Sequence, residues 1–282
     1  MTIDLAAIVR RVCDAGSGRA EALHELRRWL SAHVPDLHRS LVDTLEADDD
    51  EARCVAAWCL HLLVPYPPTA RDAVAARLRD DPCELVRRHC VEMLGYLAPR
   101  ASETMRSLVG ALDDENAEVR LSASMSLEWV GPAALRDDGL DPAGAATDVG
   151  GVYRALARWR ITTEEADREA FERQLFRALL SCHENDRPDL VYLLGLLGSG
   201  VRDLGAVAVH LADPNPRVRA LAARCLGYQG ARAMPFRERI VELRANVGDR
   251  ESEIDEALLA IGEDRLASPL VRRWRGEPGS PP

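Results

Sequence analysis

A short phrase recurs three times along this chain. It reads Asp-Pro-Cys-Glu-Leu-Val-Arg at 81–87, Asp-Glu-Asn-Ala-Glu-Val-Arg at 114–120 and Asp-Pro-Asn-Pro-Arg-Val-Arg at 213–219. Each time a helical run rich in Ala and Leu follows, and two of these runs close on Leu-Gly, at 94–95 and 226–227. A phrase that repeats along a chain in this way predicts a stacked repeat protein.

The last residue of each phrase is an arginine, which we use as the anchor of the repeat register. Counting outward at a similar spacing finds further anchor positions, each next to a similar helical run. The full set of anchors is Arg19, Arg53, Arg87, Arg120, Arg154, Leu190, Arg219 and Ile254. These anchors are roughly 29 to 36 residues apart, the period of two-helix solenoid repeats. We therefore expect about eight helical pairs.

The run after each anchor has the apolar spacing of an amphipathic helix. Apolar side chains stand one residue before the anchor and three and seven residues after it, as in Val86, Cys90 and Leu94. This spacing places them along one helix face. The sequence thus predicts an all-α fold, a superhelical α-solenoid that forms a single domain over residues 1–275, followed by a disordered tail at 276–282.

The expected solenoid has one irregular stretch. A segment rich in Gly, Asp and Pro stands at about 136–151, where the first helix of a pair should be. Directly after the next run, Thr162-Thr163-Glu164-Glu165 carries a capping signal and predicts a helix that extends to about Ser181. We therefore expect a loop near the middle of the chain, with regular helices on either side.

An aspartate recurs six residues before the anchor, at Asp81, Asp114, Asp213 and Asp249. In an inter-helix turn its carboxylate can accept backbone N–H bonds and begin the next helix, and Pro82 and Pro214 follow as early-helix prolines. With these turns and anchors, the chain resembles the HEAT-repeat family, including the short HEAT-like repeats of the bilin-lyase-like subgroup. In that family the turn Asp and the helix Arg form a ladder between adjacent repeats. The resemblance implies this structural role for Asp81, Arg87, Asp114, Arg120, Asp213 and Arg219.

Composition limits the functional classes. The chain is 47% hydrophobic, 29% charged and 5% aromatic, as in a soluble protein of packed helices. Its net charge of -10 argues against a general nucleic-acid binder, which needs a basic face. The sequence lacks a signal-peptide pattern, an apolar stretch long enough to span a bilayer, and disulfide-framework spacing of its cysteines. We therefore expect a cytoplasmic protein that makes no membrane contact.

Candidate chemistry is sparse. Cysteine and histidine concentrate in two neighbouring repeats, at Cys54, Cys59, His61, Cys83, His89 and Cys90. Their spacing matches no zinc pattern, and a buried cysteine usually packs as a small apolar side chain. The neighbours Cys182 and His183 do not face each other on a helix, and the acidic loop at 137–141 lacks the ligand pattern of an EF-hand. We expect no metal and no cofactor.

Motifs for nucleotide binding, zinc proteolysis and serine hydrolysis are missing from the sequence, which favours a protein without catalytic residues. The resemblance keeps two other classes open. One is an accessory lyase or chaperone-type enzyme related to the bilin lyases, and the other is a nucleic-acid-binding HEAT protein, which the net acidity disfavours.

The position five residues after the anchor varies in chemistry. Along the chain it holds His24, Trp58, Glu92, Met125, Trp159, Gly195 and Arg224. Such variability indicates a helix face outside the common core, and in HEAT solenoids the second helices line the concave side. The tryptophans could equally be anchors of a binding groove or side chains packed over a neighbouring helix. The binding candidates on this face are Trp58, Arg88, Met125, Arg158, Trp159 and Arg224.

A second aromatic set lies nine residues after the anchors, at Tyr96, Trp129 and Tyr228, and we expect it to pack under the next repeat. The hypothesis that follows is a non-catalytic scaffold or adaptor. It would grip a helix or an extended peptide of another cytosolic protein on its concave face. Apolar side chains would anchor the partner, and arginines would pair with its acidic groups.

Overall fold

The computed structural model describes residues 34–62, 70–97, 102–136, 138–141, 148–244 and 250–262. Within these ranges every regular element is a helix, which confirms the predicted all-α fold. The α-helices are α1 (Val34–Thr44), α2 (Asp50–Leu62), α3 (Arg71–Asp80), α4 (Glu84–Leu97), α5 (Ser102–Gly110), α6 (Ala117–Val130), α7 (Asp148–Thr162), α8 (Glu165–Ser181), α9 (Arg187–Leu194), α10 (Leu204–Ala208), α11 (Pro216–Gly227), α12 (Arg237–Leu243) and α13 (Glu251–Gly262). Short 3-10 segments span Ala111–Asp113, Gly131–Arg136, Asp138–Leu140, Gly195–Gly200, Val209–Ala212 and Gly230–Phe236.

The helices form two compact units, Met1–Asp167 and Arg168–Pro282. In the first unit the second helices of successive pairs pack side by side, α2 on α4, α4 on α6 and α6 on α7. In the second unit α9 packs on α11, and α11 packs on α13. Each unit is therefore a stack of helical pairs, as the repeat period predicts. The expected repeat around Arg19, the turn residue Asp249 and the tail at 276–282 lie outside the described residues.

The buried stripe of the second helices forms the core. In three repeats this stripe is fully buried. Its side chains stand one residue before the anchor and three and seven residues after it: Val86, Cys90, Leu94, Val119, Ala123, Leu127, Val218, Ala222 and Leu226. The small residue in the middle of each trio lets the next helix approach closely. The amphipathic pattern of the sequence is thus the packing pattern of the fold.

Two glycines mark the closest helix contacts. A Cβ atom at Gly95 of α4 would lie 2.9 Å from the Cβ atom of Ser126 on α6. One at Gly227 of α11 would lie 2.8 Å from the Cα atom of Ala257 on α13. These are the Leu-Gly positions at the ends of the repeat runs, and their missing side chains allow neighbouring second helices to touch.

The turn aspartates organise the start of each second helix. One carboxylate oxygen of Asp81, Asp114 and Asp213 accepts the backbone N–H two residues later, at 2.8–2.9 Å. At two of these turns the following asparagine, Asn116 or Asn215, then caps the helix with its own side chain. Pro82 and Pro214 lie two residues before their helices, so they belong to the turn and not to the first helical position. Pro216 occupies that position in α11.

The irregular stretch expected at 136–151 is partly helical. Asp138–Leu140 is a 3-10 turn, and Asp148–Gly151 already belongs to α7. Residues 137 and 142–147 lie outside the described residues. The predicted helix after Thr162 is α8, and Thr162 Oγ1 accepts the N–H of Glu164 in the connection between α7 and α8.

Candidate functional site

Arginine side chains link successive repeats in the first unit. Arg53 on α2 donates from Nε and an Nη atom to the carboxylate of Asp81 in the next turn, at 2.8 and 3.2 Å. Arg87 on α4 makes the same fork to Asp114, at 2.9 and 3.0 Å. These four side chains are at most 10% exposed. Two parallel hydrogen bonds between ions fix the orientation as well as the distance, so each fork sets the register between adjacent repeats.

Each of these arginines also binds its own turn. The Nη1 atom of Arg53 donates to the carbonyls of Ala47 and Asp48, and that of Arg87 to the carbonyls of Asp81 and Pro82. The hydrogen bond to Asp81 raises the pKa of Arg53 above its usual range, although burial acts in the opposite direction. The guanidinium therefore remains charged and satisfied inside the stack.

Arg120 and Arg219 bind their own turns in the same way. Arg120 and Arg219 donate to the carbonyls of their own turns, at 2.8–3.0 Å, and Arg120 lies over the ring of Tyr153 at 5.1 Å. The carboxylate of Asp213 binds Arg187, at 3.1 Å, and the turn aspartate that follows Arg219, Asp249, lies outside the described residues. Leu190 occupies the anchor in that repeat, so an arginine three residues earlier supplies the contact.

A different pairing is found at the irregular stretch. The two Nη atoms of Arg154 donate to the two carboxylate oxygens of Asp113, at 2.8 and 2.6 Å. Its Nε atom donates to the carbonyl of Gly139 at 2.8 Å. A Cβ atom at Gly150 would collide with this Asp113 carboxylate, at 1.8 Å. The glycine in the first turn of α7 therefore makes room for the ion pair, which ties the 3-10 turn at 138–140 to the helix that follows.

The position five residues after the anchor is open in every described repeat. Trp58, Glu92, Met125, Trp159, Gly195 and Arg224 are half-buried, and Leu259 is 64% exposed. At 100° per residue this position lies about 160° around the helix from the buried residue three after the anchor. The row therefore occupies the side of the second helices that faces away from the buried stripe. We call the part formed by Trp58, Glu92, Met125 and Trp159 in the first unit the open row.

An ionic cluster surrounds Glu92 within the open row. Its carboxylate lies 3.6 Å from Nε2 of His61, 3.5 Å from Nδ1 of His89 and 3.5 Å from Nε of Arg88. Burial opposes ionisation of Glu92, but the neighbouring side chains of His89, His61 and Arg88 outweigh it, so the pKa of Glu92 is lowered. The cluster therefore holds an anionic carboxylate between α2 and α4.

The arginine candidates are only partly engaged. Arg88 is 41% exposed, and Arg158 is 39% exposed while its Nε donates to Asp167 at 3.2 Å. Arg224 belongs to the second unit, where its guanidinium lies 5.6 Å from the ring centre of Tyr192. Arg88 and Arg158 thus flank the open row, whereas Arg224 lies in a different unit.

In the described part of the chain, no group of three or more His, Cys, Asp or Glu side chains is arranged to hold a metal ion. Over the same residues, no helix has the length and apolar character needed to cross a membrane.

Family comparison agrees with this geometry. The sequence model for HEAT repeats matches residues 34–128 and, in an overlapping match, residues 71–159. Residues 34–159 are HEAT repeats. A sequence comparison with curated proteins found no match.

Among solved structures, the comparison found several repeat proteins. The Escherichia coli protein YibA is 14% identical, with 92% of each chain covered and a TM-score of 0.43. A designed armadillo repeat protein in complex with a (KR)4 peptide is 15% identical, with 92% of this chain and 100% of that chain covered and a TM-score of 0.31. The CpcE–CpcF complex of phycocyanin lyase from Nostoc is 21% identical, with 79% and 94% covered and a TM-score of 0.31. At these identities and TM-scores, none of the three indicates what this chain binds or does.

One feature of the HEAT repeats escaped the sequence reasoning. Tyr96 at the end of α4 and Trp129 at the end of α6 stack with ring centres 4.7 Å apart, yet they are 52% and 46% exposed. We expected them to be covered by the next repeat, and only Tyr228 of that set is half-buried. The signal in the sequence was their common offset of nine from the anchors, which places both on the same side as the open row.

Proposed function

We propose that the HEAT repeats at 34–159 form a non-catalytic scaffold that binds another cytosolic protein along the open row. The partner segment would be an amphipathic helix or an extended peptide. Its apolar side chains would contact Trp58, Met125 and Trp159, and its acidic side chains would reach Arg88 and Arg158. Stacked helical repeats offer long surfaces of this kind, built from successive equivalent positions.

The observation that carries the proposal is the partial exposure of one register position, five after the anchor, in every described repeat, on the side of the second helices opposite the fully buried stripe. Three of its four members in the first unit are large and apolar, namely Trp58, Met125 and Trp159, and all three are half-buried. Large, partly desolvated aromatic and Met side chains are enriched at the centres of protein interfaces. A row with these residues matches a ligand that presents apolar side chains at regular intervals.

The flanking charges suit an acidic partner. A guanidinium has five N–H donors, and Arg88 and Arg158 each use Nε for a carboxylate of this chain. Both side chains are about 40% exposed, and although Nη1 of Arg88 also lies 4.0 Å from the carboxylate of Glu118, each guanidinium retains donors for a carboxylate of the partner. Exposed charges of this kind add more to association rate and orientation than to affinity.

The stacked Tyr96–Trp129 pair extends the apolar surface. An aromatic pair that is half-exposed leaves a large apolar area in contact with water, and burying that area against a partner is favourable. The pair lies at the C-terminal ends of α4 and α6, one turn beyond Glu92 and Met125. It therefore supports a contact that continues along the same side of the second helices.

The test uses the full-length tagged chain in native cytosol. Captured proteins are identified, the bound segment of the main partner is delimited as a synthetic peptide, and its affinity is measured by calorimetry. Trp58→Ala and Trp159→Ala should each weaken binding by about 30-fold, the loss that corresponds to a hot-spot residue worth about 2 kcal/mol. The peptide should carry apolar residues at helical or alternate spacing together with acidic residues.

Leu180→Ala is the matched control, because Leu180 is 90% exposed on α8 and lies outside the open row. It should leave the affinity unchanged. Circular dichroism must show that all variants are folded. Wild-type affinity in both folded tryptophan variants would show that these side chains are structural, and co-purification of a visible-absorbing ligand or nucleic acid would favour the lyase or nucleic-acid alternative instead.

A further inference from the structure

Two thiols from adjacent HEAT repeats lie next to the ion pair between Arg53 and Asp81. Cys54 lies in the first turns of α2, and Cys83 lies in the turn just before α4. Their Sγ atoms are 3.2 Å apart. Both side chains are half-buried, whereas Cys59, Cys90 and Cys225 are fully buried. A small oxidant can therefore reach this pair more easily than those three thiols.

We propose that Cys54 and Cys83 are a redox modification site, which closes to an intramolecular disulfide that joins two repeats. The sulfur atoms need to approach by only about 1 Å to reach the bonded distance. This inference does not rest on the proposed function, because it concerns the covalent state of the chain and not its ligand.

The ladder holds the two cysteines together. Cys54 directly follows Arg53, whose guanidinium forks onto the carboxylate of Asp81. The same carboxylate accepts the backbone N–H of Cys83, at 2.9 Å. One buried ion pair therefore links the backbone next to one thiol with the backbone of the other. The geometry needed for closure is set by the folded stack and is absent in the unfolded chain.

The chemistry balances with a low-molecular-weight disulfide as the oxidant. The thiolate of Cys83 attacks one sulfur of glutathione disulfide, so the first glutathione leaves as a thiolate and takes up a proton. Cys54 then loses its proton and attacks the sulfur of Cys83 in the mixed disulfide, which expels the second glutathione. Two protein thiols are oxidised to one disulfide, and one glutathione disulfide is reduced to two thiols.

The surroundings of Cys54 make closure slow at neutral pH. Burial, the hydrogen bond with Cys83 and the carboxylates of Asp81 and Asp50 raise the pKa of Cys54 to about 12. The second step needs the Cys54 thiolate. Cys83 is then bonded in the mixed disulfide, and burial and the two carboxylates remain to hold the pKa of Cys54 above its ordinary value, so the thiolate population rises with pH. The rate of closure should therefore rise steadily between pH 7 and pH 9. In a reducing cytosol the pair stays as thiols and closes only under oxidising conditions.

The experiment treats the folded full-length chain with glutathione disulfide, blocks the remaining thiols and maps the peptides by mass spectrometry. We expect a peptide pair linked through Cys54 and Cys83, which dithiothreitol separates. The linked pair should be lost in Cys54→Ser and Cys83→Ser and retained in Cys182→Ser, the control at another half-buried thiol. The oxidised wild type should unfold at a higher temperature than the reduced one.

Two results would overturn the proposal. One is a folded wild type in which both thiols remain free or stay glutathionylated after prolonged treatment at pH 9. The other is a linkage of Cys54 or Cys83 to a different cysteine. Because the readout is the linkage in the wild type, it holds even if a serine variant is unstable. When the wild type is treated in 6 M guanidinium chloride instead, the Cys54–Cys83 linkage should lose its preference over other pairings and glutathionylated thiols, since the ladder that aligns the two thiols is then absent.

Discussion

Removing the carboxylate of Asp81 should destabilise the first unit far more than removing an exposed carboxylate. The side chain of Asp81 is fully buried, and it accepts three hydrogen bonds, two from Arg53 and one from the backbone of Cys83. Asp81→Ala leaves the guanidinium of Arg53, which is 5% exposed, without its main counter-ion. Asp50 and two turn carbonyls still contact that guanidinium, so the loss is partial.

The expected cost follows from this burial. Removing one partner of a buried ion pair costs about 3–5 kcal/mol, and the remaining contacts of Arg53 place this case near the lower limit. The comparison is Asp72→Ala, because Asp72 is 83% exposed and pairs with an Arg71 that is 44% exposed. Such a surface pair contributes no more than about 1 kcal/mol. The free energies of unfolding of the two variants should therefore differ by at least about 2 kcal/mol.

The measurement is amide hydrogen exchange followed by mass spectrometry, since stacked repeats do not unfold as a single two-state unit. A loss of about 3 kcal/mol corresponds to a more than 100-fold faster exchange of the most protected amides. The acceleration should appear in α2, α3 and α4, while α13 in the second unit exchanges as in the wild type. Asp72→Ala should change the exchange of α3 by less than about tenfold.

A double variant separates the ion pair from the packing. In Arg53→Met/Asp81→Leu both charges are gone and apolar groups fill the space, so much of the lost protection should return. If the amides of Asp81→Ala exchange no faster than those of Asp72→Ala, the ion pair between Arg53 and Asp81 does not stabilise the stack and the reasoning is refuted. If the double variant is as unstable as Asp81→Ala, the geometry of the fork matters more than the cost of an unpaired buried charge.

Three further predictions concern packing, pH and thiol chemistry. Gly227→Ala should lower the local free energy of unfolding by about 1–3 kcal/mol, because the added Cβ atom clashes with the neighbouring backbone, whereas Gly110→Ala, whose Cβ atom meets open space, should raise it by about 0.5–1 kcal/mol. Amide hydrogen exchange of α11 and α5 in the two variants checks the opposite signs. Because the folded protein lowers the pKa of Glu92, its ionised form stabilises the fold above its unfolded pKa of about 4.3, and this stability is lost as the pH falls through the lower folded value. The melting temperature of Glu92→Gln should therefore lie below that of the wild type at pH 6 and approach it by pH 3, and a constant gap would contradict the assignment. Burial raises the pKa of Cys59 and of Cys225 to about 12, so iodoacetamide at pH 8 should leave both unmodified in the native chain, and rapid labelling of either would show that its repeat opens.

The period and the apolar spacing were sufficient to predict the architecture. The amphipathic stripe of each second helix has a small residue between two larger apolar ones, as in Val86, Cys90 and Leu94. Such a stripe is buried by packing against the equivalent helix of the next repeat, so the helical pairs stack. The turn aspartates were also readable, since an Asp before a helix has one favourable set of donors, the backbone N–H groups of the turn. These features depend on residues close together in the chain, and local patterns report them directly.

The local pattern of the sequence did not predict which charged residues from distant segments form ion pairs. The family pattern implied a ladder between adjacent repeats, and only the structure shows that Arg187 holds Asp213 and that Arg154 turns back to Asp113. Long arginine side chains can reach several carboxylates, and the choice depends on how the helices pack.

The exposure of side chains also depends on how the helices pack. The sequence placed Tyr96 and Trp129 at a common register position, but only the packed helices show that they stack on each other and remain half in water. The contact between Cys54 and Cys83 likewise exists only because the repeats stack with one buried ion pair between them. The repeat, its period and its buried face follow from local spacing, so they can be predicted from the residues alone. The tertiary structure decided which side chains from different repeats meet, because that depends on distances between segments far apart in the chain.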